Sequence, residues 1–236
     1  MAEKTLEQMK EAVAEIRAKM AAAAREAGRD PAAVQLCAAC KTRTVEEVIA
    51  SAVLPIDLFG ENHVQELCAN FDAGAYCGKP SHFIGHLQTN KAKPAVKYFS
   101  LIHSVDTEHL ARALDKEARK IGKCQDILVQ VNLAKEDSKS GIYKEDLRQL
   151  LDLVDELPNL RLRGLMCIAP NYDDVEKCRP LFHEMYEIFQ QVKEIPFKTA
   201  NISYLSMGMT HDYQIAVEEG ANIVRVGTAI FGPRQY

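Results

Sequence analysis

The chain has 236 residues, 47% of them hydrophobic, and a formal net charge of −4, which suits a folded chain with a sizeable core and excludes intrinsic disorder. Without a basic field a nucleic-acid partner is not expected. No apolar run approaches the ~20 residues of a membrane helix, and no basic-then-apolar leader opens the chain, so no membrane partner is expected and the cytoplasm is the expected compartment.

The chain opens on a helix. Thr5-Leu-Glu-Gln8 is a capping box, after which Leu6, Met9, Val13, Ile16, Met20 and Ala24 recur at helical spacing until Gly28 and Pro31 end the run. Apolar runs then alternate with amphipathic segments. Strands are predicted at 34–40, 58–60, 83–85, 100–103, 127–133, 163–168, 204–206 and 223–226, with helices beginning near Thr44, Asn62, Asn90, Thr107, Lys144, Val175 and Asp212. Thr44-Val-Glu-Glu47 is a second capping box. Continuous apolar runs such as 127–131 and 223–226 suit parallel strands buried on both faces. Eight such strands alternating with helices, without a linker or repeat, predict one domain over 1–236. That domain is a single (β/α)8 TIM barrel with an extra N-terminal helix, and a doubly wound open sheet is the alternative.

Seven cysteines are scattered along the chain, and Cys37 and Cys40 form a C-x-x-C. Strand alternation sends those two side chains to opposite faces, and no second pair or closely spaced histidine completes a zinc set. They are read as small buried hydrophobes, with no metal site.

Ligands of such a fold sit beyond the carboxyl ends of the strands. Lys41 ends the first apolar run, where burial favours a free amine over an ammonium. Arg225, Gly227 and Thr228 end the last strand. A glycine there admits close backbone approach and the threonine adds a hydroxyl donor, which suits a phosphate. The segment 205–210 follows the seventh strand, and its Ser206 and the N–H groups around Gly208 are read as donors to the same phosphate, with Thr210 or Asp212 capping the next helix. Asn62 lies at another strand end and is placed against the ligand. His82 and His86 are candidate acid–base groups. A lysine beside a phosphate cradle is what an aldehyde-bearing phosphorylated cofactor needs, and pyridoxal 5'-phosphate (PLP) is the obvious one.

These residues also carry a resemblance. Cys40-Lys-Thr42, Phe59-Gly-Glu-Asn62 with Val64-Gln-Glu66, His82-Phe-Ile-Gly-His-Leu-Gln88 with Asn90-Lys91, Ser138-Lys-Ser-Gly141, Leu162-Arg-Gly-Leu-Met166, Leu205-Ser-Met-Gly-Met209 and Val224-Arg-Val-Gly-Thr-Ala-Ile-Phe-Gly232 run in family order. On them the chain resembles the pyridoxal phosphate homeostasis protein family, also called the proline synthase co-transcribed family. One departure is Ser81, where the family often has Trp.

The resemblance implies a barrel like the N-terminal domain of alanine racemase, with Lys41 holding PLP as an internal aldimine. It implies Ser206, Gly227 and Thr228 on the phosphate, Arg225 near the pyridine nitrogen, and Asn62 and Met207 lining the pocket. A racemase needs a second base, supplied there by a further domain. This chain ends at Tyr236, a few residues past the last strand, so no catalytic residue is assigned. The expected role is a cytoplasmic, monomeric PLP-binding protein of PLP homeostasis without robust turnover, exchanging cofactor with PLP-dependent apo-enzymes. A small PLP-dependent amino-acid racemase using His82 or His86, and a barrel binding some other phosphorylated ligand, are the alternatives.

Overall fold

The computed structural model describes residues 4–136 and 139–233; Ser138 and Tyr236 lie outside them. Eight parallel strands close into a barrel in sequential order. They are β1 (Gln35–Ala39), β2 (Leu58–Glu61), β3 (Ser81–Phe83), β4 (Leu101–Val105), β5 (Gln125–Val131), β6 (Leu160–Cys167), β7 (Tyr204–Ser206) and β8 (Ile223–Val226). After α1 (Leu6–Glu26), the outer helices are α2 (Val45–Ser51), α3 (Val64–Asp72), α4 (Ala92–Tyr98), α5 (Glu108–Lys120), α6 (Lys144–Asp155), α7 (Arg179–Lys193), α8 (Tyr213–Glu218) and the short α9 (Thr228–Phe231). The open-sheet alternative is excluded by the β1–β8 pairing, in which Cys37 lies beside Arg225.

Both capping boxes form: Thr5 with Gln8 on α1, and Thr44 with Glu47 on α2. The apolar stripe of α1 buries Met9, Val13, Ile16 and Met20 where the helix packs on α8 and α9. At ~1.5–3 kcal/mol per buried side chain, this stripe fixes the extra helix to the barrel. Strand alternation divides the core. Cys37, Ala39, Leu58, Ile84, Leu101, Leu128, Met166 and Ile223 fill the lumen, while Leu36, Ala38 and Cys40 belong to the layer beneath the helices. The two cysteines therefore face opposite sides, as alternation requires.

Several strand limits differ from the sequence reading. β3 comes two residues earlier than 83–85, so His82 sits within the strand and not at its start. The reason is local. After Phe83 the chain bends so that Gly85 lies against β2's end, and a Cβ on Gly85 would stand 2.6 Å from the Asn62 carbonyl oxygen. The polar Ser81 hid the true start. β4 runs on to Val105, and β5 and β6 begin earlier than predicted, at Gln125 and Leu160, because the polar residues Gln125, Asp126 and Arg161 interrupt the apolar run near the start of each strand.

The β5–β6 register slips by one residue between Ile127 and Leu128. Gly164 sits there at φ +146°, and a Cβ would fall 1.8 Å from the Tyr204 carbonyl oxygen. No rotamer relieves a backbone collision. Gly164→Ala is therefore expected to destabilise the barrel by about 3 kcal/mol or more, at the upper end of overpacking costs. The urea midpoint checks this, and an unchanged midpoint would remove the bulge from the account.

Candidate functional site

Lys41 projects from a four-residue turn that ends β1. Arg43 N–H donates to the Cys40 carbonyl at 3.0 Å, and Thr42, the third residue of the turn, has φ +64°. A β-branched residue rarely holds that conformation, so the neighbours must enforce it. Thr42 N–H donates to Glu66 Oε1 on α3 at 3.3 Å. The Cys40 thiol donates to Glu61 Oε1 at 3.0 Å, which also accepts from Asn70 and Tyr76 at 2.8 Å each. Burial pushes the Glu61 carboxyl above its ordinary range and the Cys40 thiol well above its own. This knot ties the residue before Lys41 to the residue before Asn62.

A cavity of about 250 Å³ opens at the carboxyl ends of the strands. Lys41, Asn62, Thr210, Arg225, Gly227 and Thr228 line it, together with His211 and apolar walls from Ala39, Ile84 and Ile168. Lys41 is half-buried. β1 and β8 are paired neighbours, so the lysine and the β8 end meet although far apart in sequence. Gly227 permits the closeness: a Cβ there would stand 2.9 Å from the Ala39 carbonyl oxygen.

The loop after β7 is arranged otherwise than its sequence suggests. Ser206 and Met207 are fully buried, and with Gly208 they stand outside the cavity lining. Gly208 (φ +93°) lets the loop lie on α8, where a Cβ would meet Ala216 Cβ at 2.6 Å; its carbonyl accepts Arg225 N–H at 2.9 Å. Asp212 accepts the Met209 N–H at 2.5 Å and makes no side-chain cap on α8. The loop's hydroxyl at the cavity is that of Thr210, one of the two residues whose position in sequence suggests a helix cap.

Ser206 instead belongs to a buried polar line through the lumen. Arg225 Nη1 donates to Ser206 Oγ at 2.5 Å, Ser206 Oγ lies 3.0 Å from His103 Nδ1, and His103 Nε2 lies 3.0 Å from His82 Nδ1. Arg225 also donates to the Cys167 carbonyl at 2.9 Å. A guanidinium only donates, and His103 Nδ1 is the acceptor within reach of the Ser206 hydroxyl among the described contacts, so the serine hydrogen is assigned to His103 Nδ1. His103 then carries its proton on Nε2 and gives it to His82 Nδ1. The cation at one end thus sets both tautomers. Burial holds both rings neutral: His82 is pushed down to about 3 and His103 well below its ordinary value, with His82 and Arg225 adding to the effect.

The two histidines singled out in the sequence therefore lie elsewhere. His82 is in the lumen, and His86 is exposed beside Ser140 Oγ at 2.9 Å; neither lines the Lys41 cavity. His211, which the sequence does not single out, and Thr210, read there as a possible helix cap, do line it. Their signal was the Met209-Thr-His211 step between a strand end and a short helix. His103 was missed because it looks like an ordinary strand residue.

A family model described as "Alanine racemase, N-terminal domain" matches residues 11–235. A pyridoxal phosphate homeostasis protein of Aquifex aeolicus is 39% identical over 214 residues, 91% of this chain and 93% of that one. Among solved structures, PipY of Synechococcus elongatus with PLP bound aligns at a TM-score of 0.82 and 32% identity, covering 95% of this chain and all of that one. An unknown protein from Bifidobacterium adolescentis aligns at 0.87 and 32% identity, covering 96% and 95%.

Proposed function

This chain belongs to the pyridoxal phosphate homeostasis protein family, and we propose from that membership and from its barrel mouth that it binds PLP reversibly through Lys41 in cofactor homeostasis. The observation that carries the reading is the convergence of Lys41, Arg225, Gly227 and Thr228 on one cavity.

The residues present fit the cofactor. Lys41 offers the amine for the aldehyde. Thr228 and Thr210 offer hydroxyls for the phosphate, beside a glycine that allows close approach. Asn62 Oδ1 is buried without a partner in the described structure, a polar group suited to the ring's substituents. When bound, PLP supplies an aldehyde that captures amines and a ring that draws electrons. Arg225 is buried and fixed by Ser206 and Cys167, and it does not give up its proton. A cation facing the ring nitrogen would keep that nitrogen unprotonated, and the ring would then draw electrons weakly.

Low turnover is supported by the same geometry. Racemisation needs an acid–base group opposite the lysine, and His82 and His86 stand away from the cavity. His211, exposed at the mouth, is the imidazole a racemase reading would require. Solvent deuterium at the α-carbon of amino acids tests this, and incorporation that vanishes in His211→Ala would replace the reading with catalysis. Transfer of PLP to apo-enzymes within minutes is the outcome expected for a homeostasis role, with this chain acting in the cytoplasm as a monomer.

Because Thr210 lines the cavity and Ser206 does not, we assign the second phosphate hydroxyl to Thr210 in place of Ser206. Thr210→Val and Thr228→Val are each expected to weaken PLP binding about tenfold, the loss of one charge-assisted hydrogen bond. Equilibrium dialysis measures it. A tenfold loss in Ser206→Ala with none in Thr210→Val would return the phosphate to Ser206.

A further inference from the structure

Thr210 and Thr228 are uncharged, so the charge of a phosphate held between them has to be matched by another group. The side chains able to carry a positive charge on the cavity wall are Lys41, His211 and Arg225. Arg225 is buried, with Nη1 committed to Ser206 and Nη2 to the Cys167 carbonyl. Lys41 spends its amine on the aldehyde. Two cations on flanking elements do not line the cavity and are engaged: Arg43 donates to the Gly232 and Pro233 carbonyls and pairs with Glu47, and Lys4 donates to the Ala229 carbonyl at 2.6 Å.

His211 is placed and free for the task. It is exposed and directly follows Thr210, and its ring makes no hydrogen bond or ion pair among the described residues. Its loop follows β7, the strand paired with β8, so it reaches the cavity from the side of Gly227 and Thr228, whereas Asn62 and Ile84 enter after β2 and β3. Among the described residues no carboxylate lines the cavity. The carboxylate next in sequence, Asp212, is buried; its Oδ1 accepts the Met209 N–H at 2.5 Å and its Oδ2 lies 4.0 Å from the Cys178 thiol. Burial raises the Asp212 carboxyl, and the Met209 N–H, Arg225 and His211 oppose the rise.

We infer that His211 makes this cavity select phosphorylated over unphosphorylated ligands, its imidazolium facing the phosphate, so that the preference strengthens as the ring takes up a proton. The identity of the aldehyde rests on the PLP reading, while the anion site is defined on the chain's own residues. An imidazole changes charge between about pH 5 and 8, and a neighbouring anion favours its charged form. Proton uptake and phosphate binding therefore reinforce each other, and affinity gains as pH falls from ~8 to ~6. The phosphate's second ionisation, near pH ~6, and the titrations of Lys41 and Asp212 are common to wild type and variants.

The test is equilibrium dialysis of the full chain against PLP and against pyridoxal, the same aldehyde without the phosphate, at pH ~6 and ~8. His211→Asn is expected to lower the preference for PLP over pyridoxal about fivefold at the lower pH, the scale of an exposed ion pair, with little change at the higher pH and none in pyridoxal binding. His211→Lys, charged at both pH values, is expected to restore the preference at both. A purely structural role would move PLP and pyridoxal together and would not be rescued by lysine. Inorganic phosphate, followed by NMR, probes the anion site without any aldehyde: the His211 ring signals, identified by their loss in His211→Asn, should shift saturably and titrate at higher pH with phosphate than without. A phosphate response in a chain that fails to bind PLP would remove the cofactor reading and retain the His211 site. Equal PLP preference in wild type and His211→Asn at the lower pH, an equal loss at both pH values, or His211 signals indifferent to phosphate would each overturn the inference.

Discussion

Replacing Lys41 by alanine is expected to remove the aldehyde-linked absorption band of the PLP-loaded protein and to weaken PLP binding by about a hundredfold, equivalent to about 2.7 kcal/mol. The turn that presents Lys41 is held by Arg43, Glu66 and the Glu61 knot, so the substitution leaves the cavity walls in place. The remaining affinity then belongs to the phosphate and ring contacts alone. Lys41→Arg makes the comparison sharper. It keeps a cation at the same place but offers a guanidinium, which stays protonated and does not join an aldehyde. If charge attraction were the main contribution, arginine would restore binding; if the covalent bond dominates, arginine behaves as alanine does. Borohydride reduction followed by peptide mapping completes the measurement. A reduced adduct on another lysine, with Lys41→Ala still yellow, would sink the assignment.

The barrel was legible because parallel strands buried on both faces leave continuous apolar runs, and because capping residues mark the helices between them. Lys41, Gly227 and Thr228 were legible for a related reason. They stand where a strand run stops, and the fold gathers all such stops on one face. What sequence hid was the direction of side chains around a strand's last residue. Ser206 reads as a loop donor, yet strand alternation continues through it and turns the hydroxyl into the lumen toward Arg225. Thr210 reads as a helix cap, yet Asp212 bends back to Met209 N–H and the threonine faces the cavity. His82 reads as a base just outside the third strand because Ser81 conceals where β3 begins. The line from Arg225 to His82 joins four strands that lie far apart in sequence, and no local period reports such a line.

That buried line makes stability depend on pH in a way a variant can isolate. His82 and His103 are neutral in the folded chain, the first at about 3 and the second well below its ordinary value, whereas in the unfolded chain both titrate near 6.5. Below pH ~6.5 the unfolded chain takes up protons the folded chain refuses. Stability therefore falls as pH drops through that value, and continues to fall until the folded pKa is reached. Each imidazole contributes a slope of up to about 1.4 kcal/mol per pH unit. Glu61 and Asp212, raised by burial, act in the opposite sense once the unfolded chain's carboxylates stay ionised while theirs take up protons, but they are common to wild type and variant. His103→Gln keeps a neutral polar group between Ser206 and His82 and deletes one titrating ring. It is expected to be less stable at pH 7.5, because the ring's packing and fixed tautomer are lost, and to lose less stability than wild type between pH 6.5 and 5. The difference, up to about 2 kcal/mol over that interval, is read from urea midpoints at constant m-value. Parallel pH profiles for the two proteins would mean that His103 takes up its proton at the same pH in the folded chain as in the unfolded one. Arg225 would then face a second buried cation along the line, and the tautomer order derived from its donors would fail.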